Sequence, residues 1–219
     1  MDKIWKVIVV DDHNPFRDGL KYVLNQTDNI QVVAEAADGV EFLELIETTF
    51  PDVVLMDISM PRMNGIEATQ IATGKYANLG IIALTMFDDD KYCSKMLNAG
   101  VKGFLLKESS SEELIKAITC VAEGRSYFTD DILTKMLRTY PGPEKNLKNP
   151  EKNDFILSVP ERQVLKLICA GLSNSEISEA LSMSLGTVKE VRLGLLTKTN
   201  TDNSSNLAVY TIKNKLLSE

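Results

Sequence analysis

The chain has 219 residues, enough for one or two domains with buried cores, and its 44% hydrophobic and 25% charged residues are typical of a globular protein. Apolar runs of only about five residues exclude a transmembrane helix, and the N-terminus lacks the apolar core of a signal peptide. The three scattered cysteines, Cys93, Cys120 and Cys169, fit neither a disulfide framework nor a CxxC metal pair. We therefore expect a cytoplasmic protein without a membrane partner.

The net charge of −7 is unevenly distributed along the chain. Residues 1–125 contain 12 Lys and Arg against 20 Asp and Glu, whereas residues 154–219 contain seven of each. An acidic first half suits a site that collects cations. The neutral last third by itself argues mildly against nucleic-acid binding there.

Apolar strand-like runs alternate with helical patterns through the first 125 residues. The predicted strands cover residues 6–10, 31–36, 52–57, 80–85 and 103–107. The predicted helices begin near Pro15, Gly39, Gly65, Asp89 and Ser110. This alternation predicts an α/β domain with a five-stranded, doubly wound parallel sheet, for which the common flavodoxin-like strand order is 2-1-3-4-5.

Polar side chains stand at the carboxyl ends of the predicted strands, where open α/β sheets bind their ligands. They are Asp11, Asp12, Asp57, Thr85 and Lys107. Three neighbouring carboxylates would repel one another unless a cation joined them, and oxygen ligands favour Mg²⁺ or a similar hard ion. The pattern therefore predicts that Asp57 accepts a phosphoryl group, whose oxygens Lys107 and Thr85 stabilise.

The remainder of the chain is predicted to be a linker followed by helices. Residues 126–153 contain three prolines between Tyr140 and Pro150, and a possible helix begins near Thr129. Residues 154–219 predict four helices, of which Asn174 caps the second. Two short helices joined by a tight turn suggest a helix-turn-helix domain. The fourth helix, at about residues 204–217, is expected to bury Leu207, Ala208, Ile212 and Leu216.

Several motifs of the first half resemble the receiver domain of bacterial two-component response regulators. They are the Asp11-Asp12 pair, Met56-Asp57-Ile58-Ser59-Met60-Pro61 with Gly65, Thr85, and Gly103-Phe104-Leu105-Leu106-Lys107. The resemblance implies phosphoryl transfer from a sensor histidine kinase to Asp57. It also implies that Asp11 or Asp12, Asp57 and the Ser59 carbonyl hold Mg²⁺. Thr85 and Phe104 would form the switch, with the ring of Phe104 turning inward as Thr85 moves toward the phosphoryl group.

The C-terminal helices resemble the LuxR-type DNA-binding domain. The motifs are Pro160-Glu161-Arg162-Gln163-Val164-Leu165, Gly171-Leu172-Ser173-Asn174-Ser175-Glu176-Ile177 and Thr187-Val188-Lys189. Together with a receiver domain this is the architecture of the NarL/FixJ family. The resemblance implies a third helix that enters the major groove of double-stranded DNA and a homodimer when phosphorylated. The expected DNA-binding residues are Thr187, Lys189, Glu190, Arg192 and Leu193.

These resemblances divide the chain into a receiver domain (1–125), a linker (126–153) and a helix-turn-helix domain (154–219). They predict a transcriptional regulator that is not an enzyme beyond self-phosphorylation and self-dephosphorylation. A phosphatase with an Asp nucleophile is disfavoured because such enzymes place a second Asp where this chain has Ser59. A switch whose C-terminal helices bind protein instead of DNA stays open, since Glu190-Val191 and Gly194 depart from the LuxR-type pattern.

Overall fold

The structure is a computed structural model and describes residues 3–76, 79–86, 90–129, 132 and 157–217. The helix predicted within the linker falls almost entirely outside the described residues. In the part of the chain that is described, no helix has the length and apolar character that crossing a membrane requires.

The N-terminal domain is built on one parallel sheet. Its strands are β1 (Trp5–Val10), β2 (Ile30–Ala36), β3 (Val53–Asp57), β4 (Gly80–Thr85) and β5 (Gly103–Leu106). Their order is β2-β1-β3-β4-β5, and every pair is parallel, as the sequence predicted. All residues of β3 and β4 are buried, which explains why both strands appear as continuous apolar runs.

Helices cover both faces of this sheet. They are α1 (Asn14–Asn25), α2 (Gly39–Thr49), α3 (Gly65–Lys75), α4 (Asp90–Ala99) and α5 (Ser111–Ala122). One core cluster joins the sheet to α2, α3 and α4, through residues such as Phe42, Ala68 and Met96. The other joins it to α1 and α5, through residues such as Leu24 and Ile118. The domain is therefore a three-layer, doubly wound α/β fold.

The chain that follows α5 lies along the free edge of β5. The N–H of Tyr127 donates to the carbonyl of Lys102 over 2.9 Å, and the N–H of Phe104 donates to the carbonyl of Tyr127 over 3.0 Å. Pairing of this kind covers an otherwise exposed sheet edge. The first residues of the predicted linker thus pack against the N-terminal domain, and the exact domain boundaries stay a prediction.

The C-terminal domain is helical. It contains α6 (Val159–Cys169), α7 (Asn174–Leu181), α8 (Leu185–Thr199) and α9 (Ser204–Lys213). Ser158 and Ser173 each form a capping box with the glutamate three residues later, Glu161 and Glu176. The prediction that Asn174 caps the second helix was wrong by one residue, because Ser173 supplies the cap. The core of this domain consists of Val164, Leu165, Ile168, Ile177, Val188, Leu195 and Leu207.

Helix α9 contacts both domains. Leu207 belongs to the core of the C-terminal domain, whereas Val209 belongs to the core cluster of the N-terminal domain that contains α4. The prediction that Ile212 is buried was wrong, since 45% of this residue is exposed. The physical reason is that docking on α4 decides which side of α9 is covered, and the sequence pattern of one helix contains no information about that neighbour.

Candidate functional site

Three carboxylates lie together at the carboxyl ends of β1 and β3. Val10 pairs with Met56 in adjacent strands, so the residues that follow, Asp11 and Asp57, emerge side by side. Asp11, Asp12 and Asp57 each offer an oxygen atom, and these atoms lie within 4.8 Å of one another. Asp11 and Asp57 are buried, whereas Asp12 is exposed. The structure therefore brings together the acidic cluster that the sequence predicted.

Lys107 completes this cluster from the end of β5. Its Nζ atom lies 2.7 Å from Oδ2 of Asp11 and 3.0 Å from Oδ2 of Asp57. The same atom lies 5.1 Å from the centre of the Phe16 ring, close enough for a cation–π contact. Burial lowers the pKa of Lys107, but the two carboxylates more than offset this effect and the net shift is upward. Lys107 is therefore a charged ammonium group at neutral pH.

Burial raises the pKa of Asp57 above its ordinary value. The hydrogen bond and charge of Lys107 oppose this shift, the charge of Asp11 adds to it, and the backbone N–H of Ser59 donates to the carboxylate and lowers the pKa. A nearby cation favours the ionised form of such a carboxylate. A metal ion in the cluster would accordingly oppose the effect of burial and favour the anionic form of Asp57, which acts as a nucleophile.

The loop after β3 passes very close to the backbone of Asp57. The N–H of Gly65 donates to the carbonyl of Ile58 over 3.0 Å. A Cβ atom at position 65 would lie 1.9 Å from the carbonyl oxygen of Asp57, a distance that no side chain tolerates. Asn64 then caps α3 by accepting hydrogen bonds from the N–H groups of Ile66 and Glu67. Glycine at this position is therefore a requirement of the Asp57 loop.

The predicted switch residues lie on β4 and β5. Thr85 is buried, its hydroxyl donates to the carbonyl of Met86 over 3.0 Å, and its own carbonyl accepts from the N–H of Lys107 over 2.9 Å. Phe104 is fully buried, with its ring centre 6.4 Å from that of Phe128. The ring of Phe104 is thus inward in this structure, and the predicted inward turn on phosphorylation stays a prediction.

Arg17 of α1 is a positioning residue that the sequence analysis missed. Its guanidinium group donates to the backbone carbonyl of Asp11 and to the side chain of Asn14, and its Nε atom lies 3.3 Å from Glu35 of β2. It therefore holds the loop that carries Asp11. In the sequence, Arg17 is simply an arginine near the start of the helix that follows the Asp11-Asp12 pair. Arginines are common at such positions, so this pattern alone did not indicate a positioning role.

The C-terminal domain presents α8 with four of its five predicted DNA-binding residues on the exposed face. Thr187, Lys189, Glu190 and Leu193 are exposed, and the N–H of Thr187 donates to the capping hydroxyl of Ser184 over 3.0 Å. Arg192 instead lines a cavity whose walls come from both domains, and its guanidinium group donates to the hydroxyl of Ser204. Arg192 is therefore separated from the other four in this arrangement.

The acidic cluster fits a hard divalent cation. Three carboxylates and the ammonium group of Lys107 give this pocket a formal charge of −2 when all four groups are ionised. Every acidic ligand is an oxygen donor, and Mg²⁺ is held in proteins by one or two carboxylates with waters and phosphate oxygens. Asp11, Asp12 and Asp57 are the side chains that would hold it.

Two protein families match separate parts of the chain. Residues 7–119 match the family described as the response regulator receiver domain, which is more than half of the sequence. The chain is a response regulator. Residues 156–211 match the family described as bacterial regulatory proteins of the luxR family, so this response regulator carries a LuxR-type DNA-binding domain.

Full-length relatives share both parts of this response regulator. It is 36% identical over 220 residues to the transcriptional regulatory protein DegU of Brevibacillus brevis, which covers 95% of this chain and 93% of that protein. It is 35% identical to the oxygen regulatory protein NreC of Staphylococcus epidermidis, over 97% of this chain and 99% of that one. The crystal structure of ChrA, a response regulator of a heme-sensing two-component system, is 29% identical with a TM-score of 0.54, covering 99% and 100% of the two chains.

The predicted architecture is thereby confirmed. This response regulator belongs to the NarL/FixJ type, with a flavodoxin-like receiver domain and a LuxR-type helix-turn-helix domain for DNA binding. It belongs to a two-component system and regulates transcription.

Proposed function

We propose that this response regulator is switched by phosphorylation of Asp57 by a sensor histidine kinase. The observation that carries the proposal is the position of Asp57, whose carboxylate lies 3.0 Å from Lys107 and within 4.8 Å of two further carboxylates. An oxygen of Asp57 attacks the phosphorus atom, a bond from oxygen to phosphorus forms, and the bond between phosphorus and the donor nitrogen breaks. The leaving imidazole keeps the electron pair of that bond.

The residues around Asp57 have separate roles in this transfer. Lys107 offsets the negative charge that accumulates on the phosphoryl oxygens, and the hydroxyl of Thr85 donates a hydrogen bond to one of them. Asp11 or Asp12, Asp57 and the carbonyl of Ser59 would hold Mg²⁺, which when bound would supply positive charge beside the nucleophile and the phosphoryl oxygens. The protein is a phosphoacceptor with self-phosphorylation and self-dephosphorylation as its only chemistry.

The change in Asp57 reaches the C-terminal domain through α4 and β5. Movement of Thr85 toward the phosphoryl group displaces the backbone that links β4 to Lys107, and the packing of Phe104 changes with it. Helix α9 rests on α4 in the arrangement described above, so displacement of α4 weakens this contact. We call the arrangement in which α9 contacts α4 the closed arrangement. Phosphorylation thereby shifts an existing equilibrium from the closed arrangement toward a homodimer that binds DNA.

The DNA-binding surface is the exposed face of α8. Helix α8 enters the major groove, Lys189 and Thr187 contact phosphates, and Glu190 and Leu193 face the base edges. Arg192 joins this surface once the closed arrangement opens. Because its target is DNA, we place the protein in the cytoplasm. The LuxR-type family match favours DNA over a protein partner for these helices.

Labelling with acetyl phosphate and Mg²⁺ tests the proposal. We expect the full-length protein to gain one phosphoryl group, measured by mass spectrometry, and the Asp57→Asn variant to gain none. Asp52→Asn is the matched control, because Asp52 precedes the same strand at its opposite end and bonds the N–H of Lys6. Equal labelling of Asp57→Asn and the wild-type protein would assign the acceptor to another residue and refute the proposal.

A further inference from the structure

The loop between β3 and α3 is attached to the start of α2 by two contacts. The N–H of Gly39 donates to the carbonyl of Met63 over 3.0 Å, and the guanidinium group of Arg62 bonds the carboxylate of Asp38. A Cβ atom on Gly39 would lie 2.8 Å from Cγ of Met63, so the two segments pack at close range. The same loop carries Ser59, whose carbonyl the proposed function assigns to Mg²⁺. The position of this carbonyl therefore depends on how the loop is held.

Arg62 has a backbone conformation that favours glycine, with φ at 57°. Its guanidinium group bonds two acidic side chains at the start of α2, those of Asp38 and Glu41, the second over 2.8 Å. Asp38 is buried, and its Oδ1 atom caps α2 by accepting from the N–H groups of Val40 and Glu41 over 2.8 and 3.1 Å. Its other oxygen, Oδ2, bonds Arg62. A strained backbone of this kind persists only where the surrounding contacts hold it.

The contact between Arg62 and Asp38 is an ion pair. Burial raises the pKa of Asp38, but hydrogen bonds from two backbone N–H groups and from Arg62 more than offset this effect, and the net shift is downward. The hydrogen bond to Asp38 in turn raises the pKa of Arg62. Hydrogen bonds between a guanidinium group and a carboxylate are short and directional. The pair therefore fixes the loop after β3 against α2.

The same network reaches the segment that holds Asp11. The N–H of Asp11 donates to the carbonyl of Ala36, the last residue of β2, over 3.1 Å. The next N–H, that of Ala37, donates to Glu41 over 2.8 Å. Since Glu41 also bonds Arg62, one guanidinium group connects the segments on both sides of the acidic cluster.

We propose that Arg62 is a positioning residue for the metal site, which holds the Ser59 carbonyl in place by binding the Ser59 loop to Asp38. This inference rests on the proposed function, which assigns that carbonyl to Mg²⁺. A guanidinium group has no acceptor atom, so Arg62 itself is not a metal ligand. A ligand that is already in place loses less conformational freedom when the ion binds, and contacts that orient a ligand therefore increase metal affinity.

Calorimetric titration of the full-length protein with Mg²⁺, without a phosphoryl donor, tests this role. Arg62→Gln should weaken Mg²⁺ binding about tenfold, the usual lower limit for loss of a contact that orients a metal ligand. Asp38→Asn should weaken it to a similar extent, because asparagine still caps α2 but lacks the charge that pairs with Arg62. The double variant should bind no more weakly than either single variant, since both substitutions remove the same ion pair.

Two further variants separate positioning from general stability. Lys75→Gln is the matched control, because the Nζ atom of Lys75 lies 2.6 Å from Glu47 and this pair also joins α2 to α3, at their opposite ends. Its Mg²⁺ affinity should equal that of the wild type. Arg62→Gly removes the guanidinium group but adopts a positive φ without strain. Thermal unfolding should show it to be at least as stable as Arg62→Gln, yet its Mg²⁺ binding should stay equally weak.

The rate of labelling by acetyl phosphate provides a second readout. In Arg62→Gln the Mg²⁺ concentration that gives half the maximal rate should increase about tenfold, in line with the loss of affinity. The rate at saturating Mg²⁺ should stay within about twofold of the wild type, because the bound ion then holds the loop. A role of Arg62 in folding alone would leave the half-saturating concentration unchanged.

Three results would overturn the proposal: the absence of saturable Mg²⁺ binding by the wild type, equal Mg²⁺ affinities of Arg62→Gln and Lys75→Gln, or wild-type affinity in Arg62→Gly. The assignment of Asp57 is judged separately, by the mass of the labelled protein. Labelling at Asp57 with unchanged Mg²⁺ affinity in Arg62→Gln would refute the positioning role alone. Equal labelling of Asp57→Asn and the wild type would refute the acceptor assignment without altering the calorimetric affinities.

Discussion

The side-chain amide of Asn206 donates a hydrogen bond to Oδ1 of Asn98 over 3.0 Å and so joins α9 of the helix-turn-helix domain to α4 of the receiver. Two neighbouring bonds reinforce it, from Asn203 to the carbonyl of Leu97 over 3.0 Å and from Ser205 to the carbonyl of Val101 over 3.1 Å. Ser205 and Asn206 are buried. We therefore expect a displacement in the receiver to reach the DNA-binding domain at the end of α4.

Weakening this contact should activate the unphosphorylated protein. We expect Asn206→Ala to increase DNA affinity about fivefold, because one buried hydrogen bond contributes about 1 kcal/mol to the closed arrangement. The measurement is a DNA-binding titration without a phosphoryl donor. The control is Asn214→Ala, since the side chain of Asn214 donates to the carbonyl of Tyr210 within the same helical segment and, among the described residues, to no group of the receiver. Unchanged affinity in Asn206→Ala would show that docking of α9 does not limit DNA binding.

Lys189 should contribute to DNA binding mainly through phosphate charge. Lys189→Ala is expected to weaken binding to all DNA sequences and to reduce the slope of log affinity against log salt concentration by about one. Lys166→Ala is the matched control, because Lys166 is exposed on α6, outside the recognition helix. The two variants are compared by fluorescence anisotropy over a range of salt concentrations. Identical salt slopes for Lys189→Ala and the wild type would remove Lys189 from the interface.

The raised pKa of Asp57 predicts a pH-dependent stability. Between the ordinary value of 3.8 and the higher pKa in the folded protein, the folded state binds more protons than the unfolded chain, so stability falls as pH rises. Asp57→Asn removes this penalty. In EDTA at neutral pH we expect it to raise the free energy of unfolding by about 1 kcal/mol, the usual size of a single-residue effect. The gain should vanish at pH values below the ordinary pKa.

A comparison with Glu35 gives this prediction its control. The hydrogen bond from Lys21 lowers the pKa of Glu35. Glu35→Gln should therefore be less stable than the wild type at neutral pH, and this difference should disappear in acid. The sign of the difference at neutral pH is opposite to that expected for Asp57→Asn. Thermal unfolding of the wild type and both variants over a pH series measures the differences. A stability loss in Asp57→Asn at neutral pH without metal would mean that the ion pair with Lys107 outweighs burial.

Two glycines should respond to alanine in opposite ways. Gly194 lies inside α8, and an added Cβ would have no atom within 4 Å, so Gly194→Ala should raise the free energy of unfolding by about 0.5–1 kcal/mol. Gly65→Ala would place Cβ 1.9 Å from the Asp57 carbonyl oxygen and should abolish phosphoryl labelling through distortion of that loop. Urea unfolding and acetyl phosphate labelling are the measurements. Destabilisation by Gly194→Ala would indicate that glycine is needed there for another reason.

The sequence alone determined the receiver fold and its acidic site. Buried parallel strands appear as continuous apolar runs, and right-handed crossovers restrict the topologies, among which 2-1-3-4-5 is the common strand order for five strands. Because the carboxyl ends of all parallel strands lie at one edge, the positions of Asp11, Asp57 and Lys107 at the ends of their strands predicted that they meet. The capping residues in the sequence likewise predicted the first residue of most helices to within one or two positions of the observed start.

Only the tertiary structure decided how the two domains meet. Burial of Val209 instead of Ile212, the rotation of Arg192 away from the exposed face of α8, and the cavity that both domains line all depend on docking between surfaces distant in the chain. Periodicity reports that a helix has an apolar side, but the neighbour that covers it is set by long-range packing. The buried ring of Phe104 likewise packs in the same cluster as Phe128, which lies beyond α5 in the chain.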